Sequence, residues 1–224
     1  SIAQAAKDEN MGAFTLGPLA VIALELSNVG ATLASGGRWC EPNPIKEVLD
    51  QHGKQVFIDR PACEQAVSPE VAGALSHGMS KDIIDGTASA SARNNGWSAQ
   101  TAAKTGTTES HHSTAFLGFT RGMAAAPYIY NDGVQSTPLC TQPVRQCQYG
   151  TLFGGNEAAD TWFQAAAGVP DAAAGGLPPA SPAHVRGTKR GALDAVVGQY
   201  SSAAKSQLEA QGYVVTLNTC LLYT

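Results

Sequence analysis

Residues 101–107 and 115–120 are two short strand-like runs, and the stretch between them, Glu109 to Ser113, is polar and brief. Strands that close in sequence pair antiparallel, because a parallel pair needs a crossover of a dozen or more residues. A weaker run, 124–130, extends the pair into a meander. Helical patterns stand on both sides of it. The fold class that follows is α+β, an antiparallel sheet packed by helices.

The spacing predicts a helix over 21–35, with Ile22, Leu26, Val29 and Leu33 on one face and Gly36-Gly37 as its stop. The next element is a hairpin over 45–59 that turns at His52-Gly53. Ser68-Pro69-Glu70 starts another helix, with a cap, a proline and an early acid. Its apolar face is Val71, Leu75 and Met79, and Asp85-Gly86-Thr87-Ala88 ends it. A loop of small polar residues runs on to Trp97. A further helix covers 158–167, anchored by Trp162 and Phe163.

From residue 168 to 192 the composition shifts to Ala, Gly and Pro, as in a linker. Beyond it come Val196-Val197-Gly198, a helix over about 202–211 closed by Gly212, and a strand-like Tyr213-Val214-Val215. The division expected is therefore 1–167, a linker 168–192, a small unit 193–219 and a tail 220–224. The start at Ser1-Ile2-Ala3-Gln4 reads as the interior of a longer protein.

Only 14% of residues are charged and the net charge is −4, so the chain lacks the basic face that nucleic acid requires. No run of 18 apolar residues is present to span a bilayer. The five cysteines, 40, 63, 140, 147 and 220, form no zinc pattern. Two local pairs suggest disulfides, Cys40 with Cys63 and Cys140 with Cys147, against buried free thiols as the alternative. A bridge closing the first loop would constrain the unfolded chain by roughly 3 kcal/mol, and paired cysteines belong outside the cytoplasm.

Chemistry concentrates in Ala103-Lys104-Thr105-Gly106-Thr107-Thr108-Glu109. A Lys-Thr-Gly on a strand is a signature of serine enzymes that recognise penicillin. The ammonium of Lys104 suits a ligand carboxylate, since two such charges about 4 Å apart interact by roughly 4 kcal/mol at an effective dielectric near 20. Hydroxyls of Thr105, Thr107 and Thr108 add directed hydrogen bonds. Gly106 removes a side chain where substrate would lie against the strand. The backbone N–H of Thr107 is a candidate oxyanion donor. A phosphate-binding loop is excluded, because its glycine precedes the lysine.

Four segments in order carry a wider resemblance. Leu24 to Gly37, Gly86-Thr87-Ala88, Lys104 to Glu109 and Phe116-Leu117-Gly118-Phe119-Thr120 resemble the C-terminal part of the transpeptidase domain of class A penicillin-binding proteins. The cysteine-bearing stretches Trp39-Cys40-Glu41-Pro42 and 139–147 look like the actinobacterial, mycobacterial-type members. Residues 193–219 resemble part of a PASTA unit. The resemblance implies a partial penicillin-binding-protein transpeptidase fold. It also implies a membrane-anchored parent on the wall side of the plasma membrane, with an upstream peptidoglycan glycosyltransferase and a serine D,D-transpeptidase. Its partners would be stem peptides ending in D-alanyl-D-alanine and β-lactams, with no cofactor and no metal.

The family's nucleophile lies in S-x-x-K, with a second motif S-x-N, and neither precedes Lys104 here. The one S-x-x-K is Ser202-Ala203-Ala204-Lys205, after the linker, and reads as a coincidence. The chain on its own is therefore expected to be inactive. The alternatives are a non-catalytic wall-binding PASTA protein and a relative of the D,D-carboxypeptidases or β-lactamases. Among the remaining residues, His111 and His112 read as a solvated turn rather than a metal site. Glu109 reads as a brace of the same turn, Thr87 as a turn residue, and Trp97 and Trp162 as packing.

Overall fold

A computed structural model of the chain describes residues 8, 17, 21–135, 137–139, 152–186, 200–210 and 212–216. Its contacts divide the chain into two bodies, 1–185 and 186–224. Cys140, Cys147, Cys220 and Val196-Val197-Gly198 lie outside the described residues.

The first body is built on the expected meander. β5 (Ala102–Thr107) pairs antiparallel with β6 (Ser113–Phe119), in a register running from Ala102 opposite Phe119 to Thr107 opposite Thr114. The far side of β6 takes two short strands, β7 (Ala124–Ala125) and β8 (Tyr128–Tyr130), instead of one. Pro127 falls between them; it has no N–H to give a ladder, and its carbonyl accepts from Phe116 N–H at 3.1 Å.

Alternation along the strands sends side chains to two faces. On one face, Ala102, Leu117, Phe119 and Ala126 pack with helices α1 (Ala23–Ala34) and α2 (Pro69–Met79). On the other, Ala103 and Phe116 pack with α3 (Ser89–Asn94) and α4 (Ala159–Ala167), whose Trp162 and Phe163 are fully buried. Trp162 also donates its indole N–H to Gly118 O at 3.0 Å. Position 118 takes only glycine, since a Cβ there would stand 2.6 Å from the Trp162 ring.

The helix faces differ in part from those the periodicity predicts. On α1 the buried residues are Gly30, Thr32, Leu33 and Ala34, while Ile22 and Val29 are 64% and 51% exposed. On α2 they are Ala72, Gly73 and Ser76, while Val71 and Leu75 stay exposed. The cause is close approach: a Cβ on Gly30 would lie 3.0 Å from Leu117, and one on Gly73 2.0 Å from Pro179 O. Small residues let the helix lie near the sheet; Leu26, Leu33 and Met79 still pack on the core as expected, while Ile22, Val29, Val71 and Leu75 are turned outward. Helix α3 also forms where the sequence reads as a loop.

Ser68 caps α2 by accepting from Val71 N–H at 3.3 Å, with Pro69 following it in the first turn. The hairpin is shorter than expected, with β2 (Val48–Leu49) against β3 (Gln55–Val56), and Gly53 turns it at φ +78°. Outside it, β1 (Arg38–Trp39) pairs with β4 (Glu64–Gln65), and a disulfide joins Cys40 to Cys63 with Cα atoms 4.4 Å apart. Residues 168–181 run along the body. Ala172 is buried and its carbonyl accepts from Thr120 Oγ1 at 2.5 Å, and Leu177 packs on the α1–α2 side of the sheet.

A short helix, α5 (Pro182–Arg186), follows. In the second body the described element is α6 (Ser201–Ala210), which Gly212 ends at φ +85° while Tyr213 N–H bonds Leu208 O at 3.1 Å. Tyr213 to Val215 form no strand among the described residues.

Candidate functional site

β5 ends the four-stranded sheet on one side, so among the described residues half of its backbone groups have no strand partner. The Thr108 N–H bonds Ser113 O at 3.0 Å, which fixes the parity of the ladder. By the antiparallel alternation, Gly106 and Lys104 bond β6, and the N–H and C=O of Thr105 and Thr107 face the free edge. A sheet edge whose donors and acceptors face no partner strand is a template for an extended peptide.

Lys104 is exposed and, by the alternation of the strand, lies on the α1–α2 face. Its ammonium curls to the free edge and donates to Thr105 O at 2.6 Å. Lys104 forms no ion pair with a carboxylate among the described residues. A Cβ on Gly106 would meet nothing closer than Ala115 Cβ at 3.9 Å, which makes the strand beside Lys104 an open shelf. Two cavities, about 370 and 440 Å³, lie elsewhere, one at the β2–β3 hairpin and one beside Pro69, Arg121 and Pro179.

Thr105 and Thr107 point to the opposite face, and each meets a segment that sequence reasoning left out of the site. Thr107 Oγ1 accepts from Gly154 N–H at 3.1 Å. Gly154 and Gly155 open the turn before α4 and press onto the strand. Cβ atoms would meet Ala115 O at 2.4 Å and Thr87 O at 2.3 Å, so only glycine fits either place. Thr105 Oγ1 lies 2.7 Å from Thr87 Oγ1, which in turn bonds Asp82 Oδ1 at 2.7 Å. Thr87 is thus tied to the motif strand, a finer role than the turn residue expected. Asp82 closes its loop through Thr87 N–H at 2.9 Å, and Gly86 makes room, since a Cβ there would stand 2.6 Å from Asp82 Cα. The Gly86 and Gly154-Gly155 positions are the signals that could have found these segments.

Thr108 braces the turn, its Oγ1 accepting from Ser113 N–H at 2.8 Å. His111 is not solvated as expected. It is half-buried and its ring meets Phe153 edge-on at 4.8 Å, while both Ser110 and His111 adopt φ of 55°. Glu109 is exposed. Among the described residues no cluster of His, Cys, Asp and Glu is placed to hold a metal ion, and no helix is long and apolar enough to cross a membrane. Ser202 and Lys205 lie on α6, where Lys205 is held 3.6 Å from Glu209.

Residues 2–127 match the Transpeptidase family, the penicillin binding protein transpeptidase domain. The chain belongs to that family, whose members act in peptidoglycan synthesis. Penicillin-binding protein 1A from Haemophilus influenzae is 19% identical over 75% of this chain and 29% of its own, with a TM-score of 0.56, which shows the shared fold. The D,D-transpeptidase domain of a peptidoglycan glycosyltransferase from Eggerthella lenta is 27% identical over 49% of this chain and 27% of its own, with a TM-score of 0.41. Penicillin-binding protein A from M. tuberculosis, solved as an imipenem acyl-enzyme complex, is 22% identical over 54% of this chain and 28% of its own, with a TM-score of 0.43. The chain spans between a quarter and a third of these structures. No curated protein matches it.

Proposed function

We propose that the free edge of β5 binds the carboxylate of a peptidoglycan stem peptide ending in D-alanyl-D-alanine, and of β-lactams that mimic it. The observation that carries this reading is the Lys104 ammonium, exposed and lying at the edge that the Thr107 N–H faces. Lys104 and the Thr107 hydroxyl hold the anion, the Thr107 N–H serves as an oxyanion donor, and Gly106 leaves room for the peptide.

The parent enzyme in this reading is a serine D,D-transpeptidase of class A and actinobacterial type. An upstream glycosyltransferase and anchor would place it on the wall side of the membrane. The Cys40–Cys63 bridge supports an oxidising compartment. The serine and its base belong to S-x-x-K and S-x-N motifs that do not precede Lys104 in this chain, and without an activating base a serine is a weak nucleophile. This chain therefore binds penicillin without being acylated. Residues 193–219 are a partial PASTA unit; the Gly212-capped helix α6 is in keeping with it. Pulldown on insoluble peptidoglycan tests that assignment.

The test of the site is titration of the full chain with benzylpenicillin and with its methyl ester, followed by amide chemical shifts. The acid binds more tightly than the ester, and Lys104→Ala weakens the acid by about tenfold, the size of one charge-assisted contact at an exposed site. Equal binding of acid and ester would overturn the assignment. So would a fluorescent penicillin labelling this chain covalently, for the claim of no acylation.

A further inference from the structure

The stretch from residue 38 to residue 70 contains no buried residue. It is held from outside the core, by the Cys40–Cys63 bridge, the β1–β4 pair and the β2–β3 hairpin. The hairpin is braced at both ends. At the turn, Asp50 Oδ1 accepts from His52 N–H at 2.8 Å and from Lys54 N–H at 2.9 Å. At the open end, the Arg60 guanidinium donates to Ile45 O, and to Lys46 O at 3.2 Å, so it ties one arm to the other. Large apolar side chains nevertheless stand in water on this braced ribbon: Phe57 is 88% exposed, and Ile45, Leu49 and Val56 are exposed as well.

The register sets Val48 opposite Val56 and Leu49 opposite Gln55, and successive side chains go to opposite faces of a ribbon. Continued along the arms 45–49 and 55–60, that alternation sorts charge by sign. The even-numbered face is Lys46, Val48, Val56, Ile58 and Arg60, with two cations and no carboxylate. The odd-numbered face carries Ile45, Glu47, Leu49, Phe57 and Asp59, with two carboxylates and no cation. A cavity of about 370 Å³ opens on the hairpin, and five of its eight lining residues are the even-numbered set. One face thus offers an apolar hollow with cations beside it, and the other an exposed phenyl ring with carboxylates beside it.

We infer that the 45–60 hairpin is a contact between copies of this chain, the odd-numbered face of one seating on the even-numbered face of the next. Phe57 of one copy enters the hollow walled by Val48, Val56 and Ile58 of another, and Glu47 and Asp59 come against Lys46 and Arg60. Charge complementarity selects a second copy as the occupant, because the chain itself carries the matching surface. The contact joins two different faces and is therefore heterologous. Each added copy leaves one face of each kind free, so association proceeds as a series rather than closing as a pair. A ribbon face of this size belongs to the weak, transient class of interfaces, below about 1,200 Å². The contact shares no residue with the β5 edge and does not depend on the reading of that edge.

Sedimentation of the full chain with two charge reversals tests the contact. Lys46 and Glu47 are both exposed, so neither reversal disturbs packing. Lys46→Glu sets carboxylate against carboxylate, and Glu47→Lys sets cation against cation. Each variant alone associates about threefold to tenfold more weakly than the unaltered chain, the size of an exposed ion pair turned from attraction to repulsion. An equimolar mixture of the two variants regains the association, because the reversed faces then complement each other. Sodium chloride at about 0.5 M weakens the association of the unaltered chain by screening, and Phe57→Ser weakens it by removing the ring. Amide shifts that move with protein concentration fall within 45–60. Association through the exposed apolar side chains of α1 would respond to neither reversal and gain nothing from mixing. The inference falls if each variant alone associates as the unaltered chain does, if the mixture does no better than its components, or if the chain stays monomeric. It also falls if the hairpin amides respond to an added peptide of alternating valine and glutamate but not to the concentration of the chain, since the occupant is then a different protein.

Discussion

Glu70 shows how one side chain's charge depends on its local frame. Its carboxyl is held below the ordinary value of 4.5, first by a backbone hydrogen bond at its own position, then by the Ser68 hydroxyl, with His184 adding attraction. A carboxylate whose folded-state pKa is depressed stabilises the native state above its unfolded value, and the contribution is lost as pH falls through the folded value. Stability of the chain should therefore drop on acidification below about pH 4.5, and Glu70→Gln should flatten that part of the profile. Urea midpoints measured from pH 6 to pH 3 for both chains check it; parallel profiles would contradict it. The Ser68-Pro69-Glu70 start was fully legible in sequence, because a cap, a proline and a first-turn acid act within a few residues of one another. The bond from Thr105 to Thr87 was not, since its partners are 18 positions apart and meet only when the loop carrying Asp82 passes the strand edge.

At the scale of elements, the β5–β6 pair was readable because its two runs are adjacent and joined by a short polar turn. The faces of α1 and α2 were only partly legible, Leu26, Leu33 and Met79 packing as expected but Ile22, Val29, Val71 and Leu75 not, because periodicity weighs residues by size and greasiness. The sheet selects instead for what lets a helix come near, and Gly30, Ala34 and Ala72 meet that demand better than Ile22 or Val71. The β1–β4 element depends on a covalent tie rather than on burial, since its four strand residues are exposed. The Cys40–Cys63 bridge, with a sequence separation of 23, removes unfolded-state freedom worth about 3 kcal/mol in the chain-entropy model. Reduction should accelerate hydrogen exchange of the β1–β4 amides while those of β5 and β6 keep their protection. Uniform acceleration across both would show that the hairpin region and the sheet unfold as one unit.

At the scale of the molecule, the first body leaves large apolar side chains in water, among them Ile22, Leu24, Val29 and Leu75, at 64%, 61%, 51% and 47% exposure. Exposed large apolar side chains of this kind promote association. Sedimentation of the full chain should show self-association rising with concentration, and replacing Ile22, Leu24 and Val29 by lysine should suppress it; a monomer at all concentrations would count against the patch. The family, the α+β class, the meander and the Lys104 motif were all settled by the sequence, because each rests on local periodicity or on a few contiguous residues. The packing of residues 168–181 along the body, the outward turn of Ile22, Val29, Val71 and Leu75 on α1 and α2, and the union of Asp82, Thr87, Thr105, Thr107 and Gly154 were decided by tertiary structure alone. These are contacts between segments far apart in the chain, made by small and polar residues whose types carry almost no hydrophobic signal, so no local pattern announces them.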